Sequence, residues 1–341
     1  MIGKLALAAL LGGSSLAGAA IAAGPTQDAV QTTPAYAEAT LGADGAFRTR
    51  AGNGGRDGAR YQAGSTSKYA CSLLAVILER DGKLRLSDTL ADLLPGYTAP
   101  DADKITLRDL LHNRSGVADG LMAAFREDAA GLSQTELTPL DAANRFGLGR
   151  TGDAPGTAFD YVNTNWVLVQ AVLEHAGGAP LEQMLQTRVF DPADMSSAVI
   201  MSDGHLPGAD PVVASSPIIR IPDFVLCAGG LAATPDDLIR LLRFPYHAGK
   251  FTPAMIEAIE TVASPDDHYA LGGRVRRVRV DGAEHRIAWE SGSNGAFKSY
   301  SVYDPEADMG YAVMTNEDDF DFIGERRDAW IRDVLGGELL D

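Results

Sequence analysis

Apolar positions run at two different periods along this chain. Near both ends they fall on every second residue; between the ends they recur every third or fourth. From Tyr36, "YAEATLGADGAFRTRAG" alternates on either side of Ala43-Asp44-Gly45 and predicts two strands joined by a turn. "GSTSKYACSLLAVILERDGK" then places Ala70, Leu73, Leu74 and Ile77 on one helical face, with Ser65 at the start and Gly82 as the stop. From Ser87 to about Phe251 the pattern is mainly helical with long loops, in segments such as "LADLL", "TLRDLLHN", "NWVLVQAVLEHAGG" and "TPDDLIRLLRF". Beyond Tyr269 the period returns to two. "ALGGRVRRVRVDGAEHRIAWE" alternates around Asp281-Gly282, a hairpin signal, and "AFKSYSVYD" and "MGYAVMTNE" flank "PEAD" as two more strands. An amphipathic helix over about Phe322 to Leu335 closes the pattern.

Strands at both ends and helices between them predict an α/β (α+β) fold. One antiparallel sheet draws on residues 34–86 and 268–341, with flanking helices, and a mainly helical domain is inserted over 87–267. A cleft between the two parts is the expected site. The first 23 residues read as a secretory leader: Lys4, an Ala/Leu-rich stretch, then small residues up to Ala22 and Ala23. Gly12, Gly13, Ser14 and Ser15 interrupt that stretch, which argues against a membrane anchor, and no Cys near the cleavage site suggests a lipoprotein. Residues 24–33 form a polar linker, and no later stretch reaches the length of a membrane span. The expected location is therefore periplasmic or secreted. With 341 residues in all, a large additional C-terminal domain is not expected.

Composition narrows the function classes. The formal net charge is -17 with no Lys/Arg run, which excludes nucleic-acid binding by a basic face. The acidity is dispersed and reads as solubility. The six histidines are scattered without metal-ligand spacing. Cys71 and Cys227 either pair, as an exported chain allows, or stand as two small buried apolar residues; spacing alone does not decide. Oligomeric state is likewise not encoded in any motif.

Three short segments carry candidate chemistry. Ser65 and Lys68, three apart on a helix, share a face, so the amine can reach the hydroxyl and relay its proton. The alternative is that Ser65 simply caps the helix. In "PGTAFDYVNTNWVLV", Tyr161 and Asn163 are two apart and face the same way in an extended loop. A phenol beside an ammonium can act as a base, and an Asn amide can hold a Lys and a substrate carbonyl. In "HRIAWESGSNGAF", a strand breaks at Glu290 into Ser291, Gly292 and Ser293. Backbone N–H groups at such a corner can form half of an oxyanion hole, and Gly292 leaves room for a substrate along the strand edge.

Together, "STSK", "YVN" and "ESG" resemble the serine β-lactamase and penicillin-binding-protein superfamily. The class C β-lactamase-related esterases and D-peptidases are the most similar branch. The family order is Ser-x-x-Lys, Tyr-x-Asn, then Lys/His-Thr/Ser-Gly. Flanking segments resemble it too: "QAGSTSK", "TLRDLLHNRSGVADG", "DAPGTAFDYVNTN", "FDPADM" and "AGGLAATPDDLIRLL". The likeness runs from about Glu38 to Leu335. It implies Ser65 as the acylated nucleophile, with Lys68 and Tyr161 sharing the acid/base work and Asn163 orienting Lys68 and substrate. It also implies an oxyanion hole from the N–H groups of Ser65 and Ser293, Ser291 lining the strand edge, and neither metal nor organic cofactor. The implied substrates are small-molecule esters, amides or peptides.

Glu290 departs from the pattern, standing where the family usually has Lys or His. Two unit charges 4 Å apart interact by roughly 4 kcal/mol at an intermediate dielectric, so a carboxylate there would weaken an anionic substrate by two or more decades. An anion beside Tyr161 also makes that phenol less available as a base. The expectation is therefore an exported hydrolase of neutral esters or D-amino-acid amides and peptides, rather than a β-lactamase or D,D-carboxypeptidase. The reading from another class is a non-catalytic binder of a cell-wall ligand on the same fold. Alternatively Glu290 turns to solvent or pairs with an Arg of "RVRRVRV". His112, in "LLHNRSG", is expected to be structural, since there is no Gly-x-Ser-x-Gly elbow to complete a triad.

Overall fold

The computed structural model describes residues 34–201, 220–247 and 249–340; the expected leader and linker lie outside them. Its ten strands are β1 Tyr36–Leu41, β2 Phe47–Gly52, β3 Tyr61–Gln62, β4 Val199–Ile200, β5 Leu231–Ala233, β6 Arg274–Val280, β7 Ala283–Asn294, β8 Phe297–Asp304, β9 Met309–Thr315 and β10 Gly337–Leu340. The first six helices are α1 Thr66–Arg80, α2 Leu90–Leu93, α3 Leu107–Leu111, α4 Gly120–Glu127, α5 Ala129–Ser133 and α6 Pro139–Phe146. The other six are α7 Asn163–Gly177, α8 Leu181–Leu185, α9 Leu226–Gly229, α10 Pro235–His247, α11 Pro253–Glu260 and α12 Phe320–Asp333. Among the described residues no helix is long and apolar enough to cross a membrane.

Seven strands form one sheet in the order β10-β6-β7-β8-β9-β1-β2, and every neighbouring pair is antiparallel. The N-terminal strand sits inside the sheet: Tyr36 faces Thr315 and Leu41 faces Gly310. The β6–β7 hairpin turns on Asp281 (φ 48) and Gly282 (φ 81). Two successive left-handed residues make the turn whose twist matches the strands. The remaining strands pair as a small sheet, β3-β5-β4.

The sheet is buried on both faces, which alternation explains residue by residue. In β8, Val302 joins a cluster with Ile323, Trp330 and Ile331 of α12, while Tyr303 joins the larger core with α1 and α10. Each buried side chain of this size contributes roughly 1.5–3 kcal/mol. Helix α10 lies within the 87–267 stretch, yet it packs on β1, β8 and β9. Helix α1 is buried along almost its whole length, from Thr66 to Leu78, and packs against α7, α8, α9 and β7. Cys71 of α1 and Cys227 of α9 are joined in a disulfide with Cα atoms 5.8 Å apart. Of the two alternatives left open by spacing, this is the paired one. Two elements had no counterpart in the sequence pattern: the small sheet and β10, which follows α12 and covers β6.

Candidate active site

Ser65 occupies the N-cap position of α1, but its side chain makes no capping hydrogen bond. Its Oγ instead accepts from Lys68 Nζ at 3.1 Å, one turn along the same helix. Lys68 is only 1% exposed. Its ammonium has two further acceptors, Asn163 Oδ1 at 3.1 Å and the Ala228 carbonyl at 2.9 Å. A buried cation needs such a full set of partners, because a missing one leaves the charge desolvated. The Tyr161 ring stands 5.1 Å from Nζ, and Trp166 closes the far side at 5.9 Å.

Three loops hold these groups in register. The "HNRSG" loop fixes the Tyr161–Asn163 segment: Asn113 accepts from Asp160 N at 2.8 Å through its carbonyl and from Val162 N at 3.3 Å through Oδ1. Asn165 Nδ2 also bonds Asn113 Oδ1, and Ser115 Oγ donates to Asn165 Oδ1 at 2.6 Å. Asp119 accepts from the N–H groups of Asn163 and Thr164, so a carboxylate sits at the start of α7. Ser67 ties the entry to α1, donating to Gly64 O and accepting from Leu231 N. The disulfide places Ala228, the residue after Cys227, within reach of Lys68.

Strand β7 forms the third wall. It outruns β6, whose pairing ends at Arg274–Trp289, so Glu290–Asn294 keep one edge free of any strand. That edge crosses directly over the start of α1. A Cβ on Gly64 (φ 54) would land on the Ser293 backbone, and one on Gly292 would land in the Ala63 carbonyl. These two glycines permit the crossing, which brings the Ser293 backbone beside Ser65. Gly292 was expected to make room for a substrate; the room it makes is for Ala63. The Ser65 N–H is engaged by no described residue. Ser293 Oγ accepts from Lys298 Nζ at 2.9 Å, across the β7–β8 ladder.

Ser65, Tyr161, Asn163 and Ser293 line one cleft of roughly 900 Å³, open to solvent, together with Ala228. Lys68 lies behind Ser65. Ser291, Gly292 and Glu290 do not line it. Glu290 is 3% exposed and points under the strand, against Gly273 and Tyr69, where Oε1 accepts the Arg274 N–H at 3.2 Å. Burial pushes its carboxyl up to about 8, although the Arg274 and Lys68 cations and the Arg274 N–H pull the other way. Near neutral pH it is mostly uncharged, so the repulsion expected of an ionised carboxylate is largely absent. Its partner from the Arg-rich strand is a backbone N–H. Burial also raises Tyr69 and Tyr269, and the charge of Glu290 adds to both. His112 caps α3, buried, with its imidazole lowered to about 4 by desolvation and the Arg108 and Arg114 cations.

Sequence reasoning missed three contributors. The Ala228 carbonyl carries no side-chain signal. Lys298 sits at a position that strand alternation marks as buried, and a cation there was a readable anomaly; it bonds Gly295 O and pairs with Asp318 at 2.6 Å. Arg220 lines the same cleft as Ser65 and belonged to no motif.

Comparison with known proteins follows the same lines. The Beta-lactamase family model matches residues 13–336. A D-aminopeptidase of Cereibacter sphaeroides is 35% identical over 127 residues, 36% of this chain and 23% of its own length. The chain spans only 23–32% of the length of the first curated relatives it matches. A D-stereospecific amidohydrolase structure from Streptomyces superposes with TM-score 0.75 at 19% identity, covering 89% of this chain and 94% of that one. A D-amino acid amidase from Ochrobactrum anthropi SV3 gives 0.71 at 18%, covering 89% and 96%. At these identities the structural likeness shows the fold.

Proposed function

Since the chain belongs to the Beta-lactamase family and has the fold of that family, we propose that it is a serine hydrolase that works through an acyl-enzyme on Ser65 and cleaves small esters or D-amino-acid amides and peptides outside the cytoplasm. One observation carries the reading: Lys68 Nζ bonds Ser65 Oγ, Asn163 Oδ1 and Ala228 O at once, in a buried site at the foot of an open cleft.

In this mechanism Ser65 Oγ forms a bond to the carbonyl carbon while its proton passes to the Lys68–Tyr161 pair, which enters the step one proton short of ammonium plus phenol. The carbonyl oxygen takes up the negative charge, held by the N–H groups of Ser65 and Ser293. The intermediate collapses, the bond to the leaving oxygen or nitrogen breaks, and the same pair returns the proton to the leaving group. Water then attacks the Ser65 ester by the reverse path and frees the acid. Asn163 holds Lys68 through Oδ1 and offers its Nδ2 to the substrate. The names of the amidase and aminopeptidase relatives support D-amino-acid amides as substrates. The buried Cys71–Cys227 bridge supports an oxidising compartment, in keeping with the leader-like first 23 residues.

The test is a fluorophosphonate adduct read by intact mass, with para-nitrophenyl esters and D-aminoacyl amides assayed beside a chromogenic cephalosporin. The expected result is one adduct on Ser65, lost in Ser65→Ala, with turnover of the esters or amides exceeding that of the cephalosporin. An adduct that survives Ser65→Ala, or none at any pH, overturns the nucleophile. Cephalosporin turnover that dominates would make the chain a β-lactamase instead.

A further inference from the structure

Among the described residues lining the cleft, Arg220 carries the only charged side chain; no described Asp, Glu, Lys or His stands with it. The wall around it is apolar: Leu121, Met122 and Phe125 of α4, Leu132 of α5, and Ile221 and Val225 beyond Arg220. The side chain is half-buried, and its Nε is shut off from solvent with no hydrogen-bond acceptor. An Nε–H in this state has lost water without gaining a partner, which is costly unless something else supplies an acceptor. The guanidinium fork of donors matches a carboxylate.

We propose that Arg220 is a specificity residue that binds a carboxylate carried on the acyl arm of the substrate. The inference rests on the acyl-enzyme reading above and narrows its substrate class. The preferred ester or amide has an acyl group that runs along the apolar wall of the cleft and ends in an acid, as in a half-ester of a dicarboxylic acid or an acidic D-amino acid. Arg220 and Asn163 line the same cleft as Ser65, so an acyl group carried on Ser65 shares that space with the guanidinium. The cation needed for an acidic substrate thus comes from Arg220 in the cleft lining, and position 290 is not required to supply it.

Two para-nitrophenyl esters of equal acyl length test this: the hexanoate, and the half-ester of adipic acid. Wild type should favour the adipate half-ester by about tenfold or more in kcat/KM, mainly through KM, the size of one charge-assisted hydrogen bond, and high salt should shrink the preference. Arg220→Gln should bring the ratio to near one, and Arg220→Lys should keep part of it. A wild-type ratio near one, or a ratio unchanged in Arg220→Gln, overturns the assignment. Hydrolysis of the hexanoate with no charge preference sinks Arg220 alone. If neither ester turns over and Ser65 is not labelled, the acyl-enzyme reading fails by itself. Calorimetric binding of adipate to wild type and to Arg220→Gln then still decides Arg220, since loss of binding in the variant is required.

Discussion

Glu290 keeps its proton to about pH 8 in the folded chain, against an ordinary value of 4.5. Between those values the folded state holds one proton more than the unfolded state, so the residue makes stability fall as pH rises through this window and level off above it. Glu290→Gln keeps the shape and removes the charge. Relative to wild type it should gain on the order of a few kcal/mol between about pH 5 and pH 9, read by urea unfolding at both ends. Parallel pH profiles for the two proteins would mean that Glu290 is already ionised in the folded state. Gly64 and Gly292 are the other decisive single positions. Alanine at either one forces β7 away from the start of α1. Because that displaces the Ser293 N–H, kcat should fall by about 10²–10³ while circular dichroism still reports a folded chain. Ser65, Lys68, Tyr161 and Asn163 were legible in the sequence because motif order marks side chains that must meet. The Ala228 carbonyl, the crossing at Gly292 and the depth of Glu290 were not, because each depends on which distant backbone lies alongside.

Periodicity carried most elements, and where it failed the elements were short or took their place from distant partners. The two-residue strands β3 and β4 and the four-residue β10 hold too few positions to show a period, and each owes its existence to a partner strand. Helix α10 reads as amphipathic from its own residues, but nothing local says that its apolar face lies on β1, β8 and β9. Strand β1 is similar: its alternation is clear and puts Glu38 on the face opposite Ala37, Ala39 and Leu41. In the structure Glu38 is buried and joins three elements. Oε2 accepts from Tyr311 of β9 at 2.6 Å and from Arg326 of α12 at 2.7 Å, while Oε1 accepts from Arg50 Nε of β2 at 2.7 Å. Glu38→Gln leaves two guanidinium groups beside a neutral amide. It should lower unfolding free energy by about 3–5 kcal/mol, seen as an earlier urea midpoint, with little change in kcat/KM of the protein that remains folded.

At the scale of the molecule, the disulfide closes a separation of 156 residues between α1 and α9. Replacing Cys71 and Cys227 by Ala should cost about 2–5 kcal/mol, since so long a loop is free in the unfolded chain once the bridge is gone. The same variant loosens the peptide that presents Ala228 O to Lys68. Thermal unfolding and turnover measured on one preparation should therefore both decline. A drop in melting temperature with turnover intact would confine the bridge to stability.

The place of β1 in the sheet also orders events in time. Its partner on the inner side is β9, and the Glu38–Tyr311 bond between them spans 273 residues. During synthesis the first strand leaves the ribosome with only the β2 hairpin to pair with, and its inner edge and apolar faces wait until β9 has been made. A growing N-terminal core cannot close around it before then, so the central sheet is completed late. Until that point the nascent chain carries an open strand edge, and whatever shields that edge governs the yield of folded protein.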